Sequence, residues 1–168
     1  MLRFPDATTL GYSIDLNNKL TVEADIEWTG WSTFDEQQIR YTDETDPTRL
    51  AILNTGNPQP RNWKDVFSCA IGTQYTLTDR WKLRGGVMYM DSPVPNKTYE
   101  PSVPDSDLFG VALGTGYKIG SVGVDFAYLA NIFPTRTVNN TVGSPLSNAS
   151  GDYKSFANSF ALNFSYKF

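Results

Sequence analysis

The sequence predicts an all-β chain: an antiparallel, up-and-down meander of seven strands that forms part of a transmembrane β-barrel. Three observations carry this. Large apolar residues recur at every second position in seven stretches, with small or polar residues between them. The connections alternate between short turns and long, polar loops. Aromatic residues gather near the strand ends, as they do at membrane interfaces.

The stretches run in order as follows. Thr9 to Leu16 places Leu10, Tyr12, Ile14 and Leu16 on one face. The second stretch sets Leu20, Val22, Ala24, Ile26 and Trp28 against Thr21, Glu23, Asp25 and Glu27. The third sets Phe67, Cys69, Ile71, Tyr75 and Leu77 against Ser68, Ala70, Gly72 and Gln74. The fourth sets Trp81, Leu83, Val87 and Tyr89 against Lys82, Arg84, Gly86 and Met88. The fifth sets Phe109, Val111, Leu113 and Tyr117 against Gly110, Ala112, Gly114 and Gly116. The sixth sets Val122, Val124, Phe126 and Tyr128 against Gly123, Asp125 and Ala127. The last, "SFANSFALNFSYKF" at 155–168, sets Phe156, Asn158, Phe160, Leu162, Phe164, Tyr166 and Phe168 against Ala157, Ser159, Ala161, Asn163, Ser165 and Lys167. Each approaches the about nine to eleven residues with which a tilted strand crosses a bilayer.

Short turns are expected at 17–18, 78–79 and 119–121, and long loops at about 33–64, 92–106 and 134–154. Trp28, Tyr75, Trp81, Tyr89, Tyr117, Tyr128 and Tyr166 are placed for two interfacial girdles. A soluble barrel or sandwich would hide its large apolar face and show charge outside. Here the second face is mostly Gly, Ala and Ser, a poor soluble surface. The apolar face is therefore expected to meet lipid, and the small or charged face to look inward.

The last strand runs from a long loop to the C-terminus, so it descends to the periplasm. Counting back, the first strand also descends. Single-chain bacterial barrels have an even strand number, and unpaired edges are not tolerated in lipid. The expectation is that residues 1–168 are the C-terminal part of one barrel domain. Candidate additional strands at 36–42 and 97–103 are read as hairpin extensions above the membrane.

Composition narrows the function. The chain has 168 residues, a net charge of -4, one cysteine (Cys69) and no histidine. That excludes an intramolecular disulfide, Cys-based metal sites, the common zinc sites and histidine-dependent nucleophilic catalysis. No enzyme is read, and no cofactor. No apolar run is long enough for a transmembrane helix, no signal peptide is read after Met1, and the mild acidity argues against nucleic acid.

The candidate inward charges are Glu23, Asp25, Glu27, Lys82, Arg84, Asp125 and Lys167. They could form a polar path, or pair across strands as a wall network. A Glu27–Arg84 contact is one such pairing. The acidic stretch at 35–47 lacks the spacing of an EF-hand and reads as a solvated loop rather than a cation site bridging lipopolysaccharide. Pro93, Pro95, Pro101 and Pro104 stiffen one outer loop. The Asn96-Lys-Thr, Asn139-Asn-Thr and Asn148-Ala-Ser triplets are read as chance matches to a glycosylation pattern, and Cys69 as a lipid-facing apolar residue.

Residues 61–117 resemble the outer-membrane long-chain fatty acid and hydrocarbon transporters of the FadL/TodX type. The resemblance rests on Trp63 and Asp65 before a strand, then Gly72, Tyr75, Trp81, Leu83 and Arg84. It continues through "DSPVP" (91–95), "VPD" (103–105), Gly114 and Tyr117. The openings "FPDATTLGYSID" (4–15) and "LTVEADIEWTGWSTF" (20–34) match too, whereas Leu108 stands where the family usually has Arg. The loop motif Ser92, Pro93, Pro95, Pro104 and Asp105 is its most specific element. The closing Phe164, Tyr166 and Phe168 resemble the C-terminal signal read by the barrel-assembly machinery.

The resemblance implies a barrel of about fourteen strands, of which this chain supplies seven, with an N-terminal plug and a sideways opening in the half not present. It implies passive uptake of fatty acids or other hydrophobic compounds across the bacterial outer membrane. The partners would be a hydrophobic small molecule, membrane lipid and lipopolysaccharide, with no nucleic acid. The rival expectation is a structural or adhesive barrel whose loops bind an external partner.

Overall fold

The computed structural model describes residues 4–102, 104–140 and 149–168. Val103 of the "VPD" triplet, Thr141 and Asn148 lie outside these residues. Seven strands form one antiparallel meander: β1 (Ala7–Asn17), β2 (Leu20–Thr29), β3 (Val66–Thr78), β4 (Trp81–Met90), β5 (Leu108–Ile119), β6 (Val122–Val138) and β7 (Gly151–Tyr166). Each pairs with its sequence neighbour, and β1 and β7 are the two edges of the sheet.

The faces follow the residue types. Along β3, Ser68, Ala70, Gly72, Gln74 and Thr76 are half-buried, whereas Phe67, Cys69, Ile71, Tyr75 and Leu77 are exposed. Gly110 and Gly116 on β5 are buried, while Val111, Leu113 and Tyr117 are exposed. Antiparallel register keeps this segregation across the sheet, because directly opposed residues share a face. Thus Phe160 opposes Tyr128, Leu162 opposes Phe126 and Phe164 opposes Val124 on the outer face. Ala161 opposes Ala127 and Ser165 opposes Gly123 on the inner one.

The first two hairpin turns sit one residue later than expected, at 18–19 and 79–80, and the third falls within the expected 119–121, at 120–121. In the first, residues 18–19 make the turn, and the Asn17 carboxamide oxygen accepts from the backbone N–H of Lys19 (2.9 Å) and Leu20 (3.1 Å). In the second, the Thr78 hydroxyl accepts from the N–H of Arg80 (3.3 Å) and Trp81 (3.1 Å). A short polar side chain at the strand end supplies the acceptors that the turn backbone needs. In the third, Gly120 adopts a φ of 58°, where a Cβ is disfavoured.

The outer face carries its aromatics at two levels. Near the short turns, the Trp81 and Tyr117 rings meet edge to face at 6.4 Å, and Tyr166 meets Phe168 at 5.1 Å. Phe168 is fully exposed, and the Lys167 N–H bonds the Ser121 carbonyl (2.9 Å). Near the loop ends, Tyr89 packs on Phe109 at 4.8 Å. Tyr128 departs from the girdle expectation. It lies well inside the 17-residue β6, beside Phe160, and its hydroxyl donates to Asn158 (2.6 Å). Asn158, the polar exception in the closing apolar series, thus satisfies a phenol on the lipid-facing side.

The long connections are 30–65, 91–107 and 139–150. The last is shorter than the expected 134–154, because β6 and β7 run on beyond the other strands. They do so across an irregularity between Phe133 and Arg136. Residues 134 and 135 there face the single residue 154, a β-bulge at Pro134, which has no N–H to give to a ladder. Residues 36–37 pair only with 59–60, and a short helix α1 (Pro47–Leu53) occupies the stretch between. Asp46 caps α1, accepting from Thr48 (2.8 Å) and Arg49 (3.4 Å), with proline at its first position. The acidic stretch 35–47 is thus loop apart from the short pairing at 36–37, and the helix begins only at its last residue, Pro47.

The buried core does not lie in the sheet. It lies above it, where Val94, Tyr99, Val138 and Ala149 cluster with Trp63 and Tyr153 packed against them. The sheet itself is a single-layer wall. Replacing Phe160 by Lys on its outer face should destabilise the bilayer-inserted protein by about 2–4 kcal/mol, read by denaturant titration in vesicles. Ala161→Ser on the inner face should change little. A neutral Phe160→Lys would reverse the assignment of faces.

Candidate functional site

Two regions can act on a molecule passing the wall: the inner face and the cap of loops over its outer end. Glu23, Asp25, Glu27, Lys82, Arg84 and Asp125 all fall on the inner face by register. They do not form one network. Among the described residues, Arg84 makes no hydrogen bond or ion pair with the acids of β2 and is held by its two flanks. Its Nε donates to the Gln74 side chain (3.0 Å) and its Nη1 to Asp125 Oδ1 (2.7 Å). The Glu27–Arg84 pairing is absent among the described residues, because Glu27 accepts from Thr9 (2.8 Å) and Thr29 (3.4 Å) instead.

Asp125 sits two strands from Arg84, so their pairing needs a bare strand between them. β5 provides it. Gly114 opposes Arg84, and Gly116 opposes Asp125. A Cβ on Gly116 would lie 2.3 Å from Asp125 Oδ1 and 3.2 Å from Arg84 Nη1. Met88 crosses the same strand at Gly110, where a Cβ would lie 2.4 Å from its Cγ. The glycines of β5 are thus clearance for long side chains rooted on β4. Above this pair the inner face carries an open hollow of about 540 Å³, lined chiefly by small residues such as Gly72, Gly86, Ala112, Gly114 and Ala127.

The cap is built on loop 91–107, which holds the motif residues Ser92, Pro93, Pro95, Pro104 and Asp105. Ser92 donates its hydroxyl to Asp105 Oδ2 (2.7 Å) and its N–H to Asp107 Oδ1 (2.9 Å). The Pro93 carbonyl accepts from the Lys64 N–H (2.9 Å), and the Pro95 carbonyl accepts from the Thr98 N–H (3.1 Å). The residue that organises the loop is Arg136. Its guanidinium donates to Ser92 Oγ (3.0 Å), the Asp105 carbonyl (2.7 Å), the Asn96 side chain (3.0 Å) and the Val94 carbonyl, and it lies 4.7 Å from the centre of the Tyr99 ring. Arg136 faces the loop because of the bulge at Pro134. Without the extra residue, an even-numbered position of β6 would point outward; after it, Arg136 opposes Tyr153, which packs on Tyr99 at 4.7 Å.

Two further groups tie the neighbouring loops to this one. Arg61 is buried and pairs with Glu100 (2.6 Å), with Gln59 (3.1 Å) and Gln37 as further acceptors. The buried Asn140 donates to the carbonyls of Asn96 (2.6 Å) and Tyr99 (3.0 Å). Burial raises the Tyr99 hydroxyl above its ordinary pKa. At the near edge, Ser32 holds the Asp65 carboxyl below its ordinary value through its hydroxyl and backbone N–H (2.8 Å). That clasp is fully present above the ordinary carboxylate pKa and is lost as pH falls through the lowered one.

Beneath the cap lies a second hollow of about 300 Å³. Its apolar lining comes from Trp31, Trp63, Val66, Met90, Leu108 and Phe133, and Pro93 and Pro104 roof it. Trp63 is fixed between Trp31 (5.0 Å) and Phe34 (4.9 Å) by edge-on ring contacts. The inner face thus carries small residues with scattered charges along most of its length, and large apolar residues together with Glu27, Asp91 and Asp105 where the cap covers it. Sequence reasoning found the loop motif but missed Arg61, Arg136 and Asn140, which hold it.

Two outcomes follow from these contacts. Arg84→Glu should lower stability by about 1–2 kcal/mol in thermal unfolding, and adding Asp125→Arg should restore most of it. No rescue would mean that the pair is incidental. Arg136→Ala should lower the opening free energy of loop 91–107 by about 2–3 kcal/mol, seen as faster amide exchange there and not in β3. Arg136→Lys should recover only part, since an ammonium cannot reproduce the fork.

Comparison with known proteins places this architecture. A family model described as outer membrane protein transport protein (OMPP1/FadL/TodX) matches residues 1–168. The long-chain fatty acid transport protein of Escherichia coli K12 is 34% identical over 107 residues, which cover 62% of this chain and 22% of that protein. The crystal structure of a Pseudomonas aeruginosa FadL homologue superimposes with a TM-score of 0.81 at 26% identity, over 96% of this chain and 35% of that one. The Ralstonia pickettii toluene transporter TbuX shares the fold, with a TM-score of 0.63 at 19% identity over 97% of this chain and 33% of its own. The chain thus spans about a third or less of these proteins' length, and its strands lie in a bacterial outer membrane. It belongs to the OMPP1/FadL/TodX family of outer membrane transport proteins.

Proposed function

We propose that this chain is the C-terminal part of a barrel that admits long-chain fatty acids or other hydrophobic compounds passively across the outer membrane. One observation carries the reading: a hollow of about 300 Å³ lined largely by bulky apolar side chains sits under a pinned loop cap, at the outer end of a wall otherwise built mostly of small residues. That volume is at the small end of ligand sites, about 300–1,000 Å³. An alkyl or aryl chain entering it would leave water at a gain of about 0.8 kcal/mol per methylene. The smaller inner-face residues below would let the chain move on without a second deep well. The family relative named for long-chain fatty acid transport supports the substrate class.

The same reading covers the rest of the barrel. β1 and β7 are sheet edges, and open edges do not persist in hydrocarbon. They would pair with strands of an N-terminal half, giving about fourteen in all, with a plug and lateral opening supplied by that half. Phe164, Tyr166 and Phe168 project from the outer face and would serve as the assembly signal. Nothing in this scheme makes or breaks a covalent bond.

The test uses the native polypeptide ending in "NFSYKF", purified from outer membranes; its length should be roughly twice this chain or more. It should bind a fluorescent fatty acid saturably. Phe133→Ala, in the hollow, should weaken that binding about tenfold, while Phe160→Ala, on the lipid face, should not. Absence of saturable binding would favour a structural or adhesive barrel.

A further inference from the structure

At the short-turn end of the inner face, far from the cap, a third hollow of about 150 Å³ gathers an unusual set of charges. Arg80, Lys82, Arg84 and Lys118 line it together with Asp79 and Asp125. Arg84 and Asp125 are already engaged with each other at 2.7 Å. Among the described residues, no side-chain hydrogen bond or ion pair engages Arg80, Lys82, Lys118 or Asp79. Three cations and one carboxylate are therefore left over, within one small concavity.

The register shows how open this group is. Lys82 lies between Thr76 on β3 and Gly116 on β5, and Lys118 opposes Gly123 on β6, so neither ammonium has a carboxylate directly across from it. The two lysines are diagonal neighbours on one face, an arrangement in which like charges repel. Of the inner-face acids, Asp125 lines the same hollow but is held by Arg84 at 2.7 Å, while Glu23, Asp25 and Glu27 sit on β2, two strands from β4 and three from β5.

We propose that Lys82 and Lys118, with Arg80 beside them, hold the anionic headgroup of an amphiphile, a carboxylate or a phosphate, at the periplasmic end of the wall. The site rests on the barrel reading above but does not depend on which compound is carried. A headgroup there would neutralise the lysine pair while its chain lies along the glycine-rich inner face of β5. The polar end of a molecule leaving the cap would thus have a second station at the far side of the membrane.

The experiment uses the native polypeptide in neutral detergent, wild type and Lys82→Gln/Lys118→Gln, with each single variant as a folding control if the pair melts early. Dodecanoate and dodecanol share a chain and differ in charge. The wild type should prefer dodecanoate about tenfold, and the double variant should lose that preference with dodecanol binding unchanged. Native mass spectrometry asks about the other source: phosphatidylglycerol retained by the wild type and lost by the variant assigns the site to a lipid phosphate. Either result supports the site. A preference that survives in the variant, with phosphatidylglycerol equally retained or absent in both proteins, overturns it. No saturable dodecanol binding by either protein would sink the uptake reading alone, and phosphatidylglycerol retention would then decide the anion site by itself.

Discussion

No water reaches the hydrocarbon of a bilayer to answer an unpaired N–H or C=O, and the rest of this structure depends on that constraint. It forces each strand into register with its sequence neighbour along its length, from Ala7 opposite Thr29 to Val122 opposite Tyr166. Register then decides which side chains share a face. Once Phe160 is set opposite Tyr128, Ala161 must lie opposite Ala127. The two-solvent character of the wall is a consequence of backbone pairing, with side-chain chemistry selected to match.

The cap obeys a different rule. Above the membrane, water can satisfy the backbone, so loops need side chains to hold a shape. Here that work falls to Arg61, Arg136 and Asn140, each donating to loop carbonyls or side-chain oxygens that would otherwise be solvated or orphaned. The stiffness of loop 91–107 comes only partly from its prolines. Proline restricts the chain locally, whereas the guanidinium of Arg136 ties Ser92 to Asp105 across the loop's whole span. The apolar hollow owes its roof to that tie.

The strands and their faces were legible because a period of two survives any local noise, and seven alternations agree. What was not legible is where that period breaks. Arg136 falls after the bulge at Pro134, so alternation carried through it assigns the wrong face and suggests a loop. The proline itself was the available signal. The Arg84–Asp125 pair was not legible because the cluster of acids on β2 pointed to Glu27 as the partner, while the bare Gly114 and Gly116 clear the way to the opposite side. Helix α1 was announced by its Asp46-Pro47 start inside a stretch read as merely acidic. Tyr128 was placed at an interface only because β6 was judged too short.

The bulge at Pro134 also works as a phase shifter between two media. Below it, β6 keeps step with the lipid; above it, the same strand keeps step with the cap. Running the regular ladder through both 134 and 135, so that Arg136 faced residue 152 in place of Tyr153, would leave the membrane-level ladder intact and turn every side chain of β6 above it through half a revolution. Arg136 would then point away from the loop, toward the outer leaflet. Losing residue 134 or 135 would close the bulge with Arg136 still opposite Tyr153, whereas a change that straightens the strand and keeps both residues turns the cap-facing side chains away, though it alters no membrane-embedded contact.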